Sequence, residues 1–153
     1  MIITDCFSFL ITDFSFTKVE ERTENWGIEI KYANDTTGVK ITYEYREVYI
    51  FITIYQLHNG VMLDLPSHVD KNTELYCFGF DDAISILASD KLLKPMYDYE
   101  EDSKYCDKKN GLKYYVGQFA DNLRVIGKPF LNGDFSLLPQ LKSIIIERIE
   151  QWS

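Results

Sequence analysis

Two histidines, His58 and His68, are the residues best suited to acid–base or metal chemistry near neutral pH. With Cys77 they form a series whose members lie ten and nine positions apart. That spacing matches no zinc-binding pattern, and Cys106 has no second cysteine close to it. Loop histidines and a cysteine in an apolar strand account for these residues at least as well. We therefore expect no metal and no cofactor.

Nucleophilic catalysis would need a serine or cysteine with a base held within hydrogen-bond reach. The chain has neither a Gly-x-Ser-x-Gly elbow nor a glycine loop that could hold a phosphate. A small enzyme that uses His58 or His68 with nearby acids is one hypothesis, but no pattern in the sequence favours it. We expect a protein that is not an enzyme.

Paired carboxylates occur at Glu20–Glu21, Asp81–Asp82 and Glu100–Glu101–Asp102. A general acid among them would need burial to raise its pKa, whereas the neighbouring residues are polar. The sequence therefore indicates solvated carboxylates. Such a cluster can still attract and hold a positively charged partner.

Tyrosines alternate with acids in one stretch, which we call the acid–tyrosine segment (residues 97–102). Tyrosine is a common interface anchor because its ring buries area while its hydroxyl keeps a hydrogen bond. Covering the core from a surface loop would explain the same rings. The candidate partner-binding residues are Tyr97, Asp98, Tyr99, Glu100, Glu101 and Asp102.

Length and composition predict one globular domain over residues 1–153, with 46% hydrophobic and 15% aromatic residues. The net charge is −8, which disfavours direct nucleic-acid binding because phosphate contacts need lysine and arginine. Residues 64–107 contain 11 acidic and 4 basic side chains, a net charge of −7, so the negative charge is concentrated there. A basic protein partner fits this distribution.

Features that mark secreted or membrane proteins are lacking in this sequence. Three widely spaced cysteines, an odd number, are poor evidence for a disulfide framework and fit a reducing compartment. Asp5 and Asp13 interrupt the apolar N-terminal stretch, which therefore does not resemble a signal peptide. No uncharged apolar run approaches the length of a membrane span. We expect a cytoplasmic protein with no membrane association.

The periodicity of the first half predicts a helix followed by a sheet. Apolar residues at helical spacing over 7–14 predict the first helix, with Thr4 or Asp5 as its cap. Residues 17–25 are polar and read as a linker. Strands are predicted at 28–33, 39–46 and 48–57, with a turn at 34–38 in which Gly38 could adopt a positive φ.

The second half predicts a short strand or buried connector at 75–78 and then helices. The helices are expected at 83–88, capped by Asp81 or Asp82, at 112–126, and at 137–151, capped by Ser136. This order predicts an α+β fold: an antiparallel β-meander sheet with an N-terminal helix and C-terminal helices packed on one face.

Three segments carry a resemblance to a family. They are Asn25-Trp26-Gly27-Ile28-Glu29-Ile30-Lys31-Tyr32-Ala33-Asn34, Gly38-Val39-Lys40-Ile41-Thr42-Tyr43-Glu44-Tyr45-Arg46-Glu47, and Phe135-Ser136-Leu137-Leu138-Pro139. With the helix-first layout, they resemble small bacterial immunity proteins of contact-dependent growth-inhibition and polymorphic toxin systems.

The resemblance implies binding to the toxic domain of a cognate effector in the cytoplasm of the producing cell. Many such toxins are nucleases with basic active sites, which an acidic inhibitor would complement and occlude. It implies no catalytic residues. A general protein-interaction module, including one that pairs as a homodimer, is the other hypothesis that the sequence leaves open.

Overall fold

The computed structural model describes residues 1–152. Two short helices come first in the chain, five strands follow, and four helices come after the last strand. The elements are α1 (Ile2–Cys6), α2 (Phe9–Phe14), β1 (Thr17–Glu24), β2 (Gly27–Ala33), β3 (Thr37–Glu44), β4 (Tyr49–Gln56), β5 (Cys77–Gly79), α3 (Phe80–Leu87), α4 (Gly111–Val125), α5 (Lys128–Leu131) and α6 (Leu138–Gln151).

The five strands form one sheet in the order β1-β2-β3-β4-β5, and each strand is antiparallel to the next. Short turns join the first four strands, so each strand pairs with the one that precedes it in the chain. The α+β prediction and the meander through 28–33, 39–46 and 48–57 are confirmed. The short strand expected at 75–78 is β5, shifted by two residues at its start.

One face of the sheet carries the core. Ile30, Ile41 and Ile52 lie directly opposite one another on β2, β3 and β4, and all three are buried. They belong to a hydrophobic cluster that also contains side chains from all six helices. The alternation of apolar and polar residues along these strands therefore places the helices on a single face.

The other face of the sheet is polar at its centre. Lys31 lies opposite Lys40, which lies opposite Thr53. Towards β5 this face is covered by the loop at 57–76: Tyr55 is buried, and the side chain of Met62 packs on Gly38. A Cβ at position 38 would lie 2.7 Å from that side chain, so the glycine provides room for the loop.

The prediction of a linker at 17–25 is wrong, because Thr17–Glu24 is strand β1. All eight of its side chains are exposed, since it is the edge strand and no helix covers it. A strand without a buried face has no apolar alternation, so periodicity does not detect it. The register shifts at Val19, and this irregularity and the charges on β1 are typical of protected sheet edges.

Three details at element ends also differ from the prediction. The first helix is split into α1 and α2, and Ile11 is exposed. Gly38 lies inside β3, and the turn before it is made by Asn34, whose Oδ1 accepts the backbone N–H groups of Thr36 and Thr37. Ser136 does not cap α6, because that helix begins two residues later.

Candidate functional site

The acid–tyrosine segment lies in the α3–α4 connection (residues 88–110). This connection contains three short 3₁₀ turns, at Ser89–Lys91, Met96–Asp98 and Lys104–Cys106. Residues 97–102 span the second turn and the bend that follows it. The predicted candidate residues therefore share one exposed turn region between two helices.

Buried side chains hold the backbone of the connection through its carbonyl groups. Asn122 Nδ2 donates to the Lys91 carbonyl at 3.0 Å, and Tyr115 Oη donates to the Lys94 carbonyl at 2.7 Å. Between them, Tyr49 Oη lies 3.0 Å from the carbonyl oxygen of Leu93. These contacts fix the entry to the acid–tyrosine segment against α4 and β4.

The tyrosines of the connection separate into buried and exposed rings. The ring centroids of Tyr99 and Tyr105 are 4.8 Å apart, and those of Tyr105 and Tyr115 are 5.5 Å apart, both edge-to-face. Tyr105 is 9% exposed and Tyr99 is half-buried, so these rings cover the core. Tyr97 is 62% exposed and is the tyrosine of the segment that is available to a partner.

A glycine brings the third turn against α4. Gly111 is the first residue of α4 and is buried. A Cβ at this position would lie 2.3 Å from the carbonyl oxygen of Tyr105, so any larger residue would push the turn away. The close approach seats the Tyr105 ring beside Tyr115.

The four carboxylates of the segment are exposed and, within residues 1–152, none of them forms an ion pair. The nearest lysines along the chain stack on rings instead. Lys94 Nζ lies 4.9 Å from the centroid of Tyr99, and Lys104 Nζ lies 5.3 Å from that of Tyr105. The carboxylates concerned are Asp98, Glu100, Glu101 and Asp102.

A hollow of about 530 Å³ lies beside the segment. Tyr99 and Tyr105 form part of its wall, and its charged lining residues are Asp90, Lys91 and Lys94. With two cations and one anion, the hollow does not extend the negative surface. The negative charge is confined to the outer turn.

The acids of the β1–β2 hairpin are arranged differently. Glu20 lies 3.0 Å from Lys31, and Glu29 lies 3.2 Å from Arg22. These pairs follow from the register, which sets Glu20 opposite Lys31 and Arg22 opposite Glu29. The hairpin therefore compensates much of its own charge.

The prediction that Asp81 lies on a solvated surface is wrong, because this acid is half-buried. Its Oδ2 lies 2.7 Å from Tyr49 Oη, and burial raises the pKa of its carboxyl group above the ordinary value. Asp82, one residue later, pairs with Arg148 of α6. Neither acid caps α3 through its side chain, and the helix begins at Phe80. The apolar residues at 75–80 were the signal for burial here.

The three residues first considered for metal or acid–base chemistry have separate surroundings. His58 is exposed and stacks on Tyr76, with ring centroids 4.5 Å apart, and His68 is exposed beside Asp70. Cys77 is buried, and this burial raises its pKa to about 11. Over residues 1–152, no three or more His, Cys, Asp or Glu side chains are grouped so that they could hold a metal ion.

No protein-family model, no curated protein and no solved structure matches this chain significantly. Among the described residues, no helix combines the length and apolar character that crossing a bilayer requires.

Proposed function

We propose that this protein is a cytoplasmic immunity protein that binds a cognate, basic toxin domain, a nuclease, and occludes its active site without catalysis. The observation that carries the proposal is a set of four exposed, unpaired carboxylates beside an exposed tyrosine, all on a connection held by buried side chains. The acid–tyrosine segment is the proposed contact surface.

Electrostatics support this role for the segment. Carboxylates that have no internal cation keep their full field for a partner, which speeds association with a basic surface. The turn is held at the Lys91 and Lys94 carbonyls, so less conformational entropy is lost when the partner binds. Tyr97 supplies the ring area that commonly anchors an interface.

Occlusion follows from the same charges. A nuclease active site is basic because it binds phosphate, so carboxylates placed against it exclude the nucleic acid while they attract the toxin. The two functions need only one surface and no chemical step.

The proposal predicts that a gene next to the one for this protein encodes a toxic C-terminal domain, and the test is protection of cells that express that domain. Co-expression of the wild-type chain should restore growth. Replacing Asp98, Glu100, Glu101 and Asp102 together with serine should reduce protection and slow association with the purified toxin domain about tenfold or more at low salt.

A matched control removes the same amount of charge elsewhere. Four other acids are exposed and form no ion pair within the described residues, and replacing them with serine changes the net charge equally: Asp35, Glu47, Glu74 and Glu147. This variant should protect cells nearly as well as the wild type. Equal losses of protection in both variants would show that total charge, and not the acid–tyrosine segment, is responsible. No loss of protection in either variant would refute the proposed surface. Failure of the wild-type chain to bind or protect would refute the immunity function.

A further inference from the structure

The Tyr49 hydroxyl has one proton to donate and lies within hydrogen-bond distance of two acceptors. Its hydroxyl oxygen lies 2.7 Å from Asp81 Oδ2 and 3.0 Å from the carbonyl oxygen of Leu93. A tyrosine hydroxyl can donate only one hydrogen bond but can also accept. If Asp81 is ionised, the carboxylate and the carbonyl compete for the same proton.

Protonation of Asp81 removes this competition. The Asp81 hydroxyl can donate to Tyr49 Oη, and Tyr49 can then donate to the Leu93 carbonyl. Both contacts lie within the normal range for such bonds. In the protonated state Asp81, Tyr49 and the Leu93 carbonyl each have a hydrogen-bond partner. In the ionised state Tyr49 donates to Asp81, and the half-buried Leu93 carbonyl loses the Tyr49 hydroxyl as its donor.

We propose that Asp81 is a pH-dependent anchor of the α3–α4 connection, which holds Leu93 through Tyr49 when its carboxyl group is protonated and releases it when ionised. The inference concerns the isolated chain and does not depend on the proposed function. It does concern the connection that carries the acid–tyrosine segment.

The charges around Asp81 favour the protonated state. Asp82 on the same helix adds a like charge, and Tyr49 and Tyr115 face the carboxyl group from β4 and α4. The one cation on α6 beside this site, Arg148, is engaged by Asp82. Desolvation is the largest influence, and it raises the pKa of Asp81 despite the opposing hydrogen bond from Tyr49.

The sign of the pH effect follows from this direction. In the unfolded chain the carboxyl group titrates near its ordinary value of 3.8, and in the folded chain it titrates higher. Between the two values the folded chain binds more protons, so the contribution of Asp81 to stability falls as the pH rises through that interval and is constant above it. Asp70 and Asp134, whose pKa values are lowered, give the opposite trend.

The experiment compares Asp81→Asn with the wild type, because asparagine imitates the protonated carboxyl group and does not titrate. The control is Asp90→Asn, because Asp90 is an exposed acid of the same connection and has no ion pair in the described part of the chain. Urea midpoints are measured from pH 4 to pH 8. The midpoint of Asp81→Asn should rise relative to the wild type as the pH increases and then level off, whereas that of Asp90→Asn should run parallel to the wild type.

Amide exchange tests the anchor itself. At pH 7 the protection factors of Met96, Asp98 and Tyr99 should be higher in Asp81→Asn than in the wild type, by up to about tenfold for each unit by which folding raises the pKa of Asp81. In a Tyr49→Phe background, Asp81→Asn should no longer raise them, because the link to Leu93 is missing.

Carboxyl ¹³C titration of wild-type Asp81 provides a measurement that needs no variant to fold. A pKa above 3.8 supports the inference, and a value at or below 3.8 overturns it. Parallel stability profiles for Asp81→Asn and the wild type would also overturn it, as would an exchange effect that persists in Tyr49→Phe.

Discussion

Two acidic regions of this chain, the β1–β2 hairpin and the acid–tyrosine segment, look alike as sequence and differ as surfaces. In the hairpin, strand register brings Lys31 to Glu20 and Arg22 to Glu29. In the acid–tyrosine segment, sequence neighbours are acids and the nearby lysines lie on tyrosine rings. Strand pairing sets residues of two strands opposite one another at fixed intervals, and in this hairpin those residues include cations and anions. A 3₁₀ turn exposes successive side chains without a facing strand.

Acids without an internal ion pair are better suited to bind a basic partner than acids that are already paired. An acid paired within the chain must exchange one cation for another when it binds a basic protein, so its net gain is small. An unpaired acid gains the full interaction. The stretch from Glu20 to Glu29, whose acids pair within the hairpin, is therefore a weaker candidate for partner binding than the acid–tyrosine segment.

The support beneath the two regions differs in the same way. The hairpin edge strand β1 has no buried side chain. The connection that carries the acid–tyrosine segment has the buried ring of Tyr105 and three side-chain contacts to its carbonyl groups. Substitutions of the side chains that support the acid–tyrosine segment should therefore lower stability strongly, whereas substitutions in the hairpin should lower it weakly.

The largest effect is expected for Tyr105→Ala. Removing a buried ring that packs on Tyr99 and Tyr115 should lower the free energy of unfolding by about 3 kcal/mol. Tyr97→Ala is the matched control, because its ring is exposed, and it should change stability by less than about 0.5 kcal/mol. Urea unfolding measures both, and similar losses in the two variants would contradict the division into buried and exposed rings.

A smaller effect is expected for Tyr115→Phe. This change removes the hydrogen bond to the Lys94 carbonyl but keeps the ring, so we expect a loss of about 1–2 kcal/mol. Tyr114→Phe, at the adjacent exposed position, should be neutral. Thermal or urea unfolding distinguishes the two variants, and a neutral Tyr115→Phe would show that the carbonyl is satisfied in another way.

The smallest effect is expected in the hairpin. Lys31→Met removes the ion pair with Glu20 and should lower the free energy of unfolding by at most about 0.5 kcal/mol, because both groups are partly exposed. Lys109→Met is the control, because Lys109 is exposed and forms no ion pair with any of residues 1–152. If Lys31→Met lowers the free energy of unfolding by more than about 1 kcal/mol relative to that control, the ion pairs of the hairpin stabilise the fold and the proposed contrast in support between the two regions fails.

Strand alternation, turn residues and the helical stripe of the last helix were enough to predict the α+β class, three of the five strands and their antiparallel neighbours. They succeed because burial of one face is a local property of the sequence, repeated every second or every third to fourth residue. Strand β1 escaped prediction for the complementary reason: neither of its faces is buried, so its residues carry no pattern.

Tertiary structure alone decided which charges are paired. The sequence placed Glu20, Asp81 and Glu100 in one category of surface acids, yet Glu20 is paired across a strand and Asp81 is half-buried against Tyr49. Glu100 is exposed, with no cation paired to it among residues 1–152. The electrostatic role of a carboxylate depends on groups within a few ångströms, and in this chain those groups are 11 residues away for Glu20 and 32 for Asp81. Such distances in sequence are closed only by folding, so composition located the negative charge and the fold determined which part of it is free.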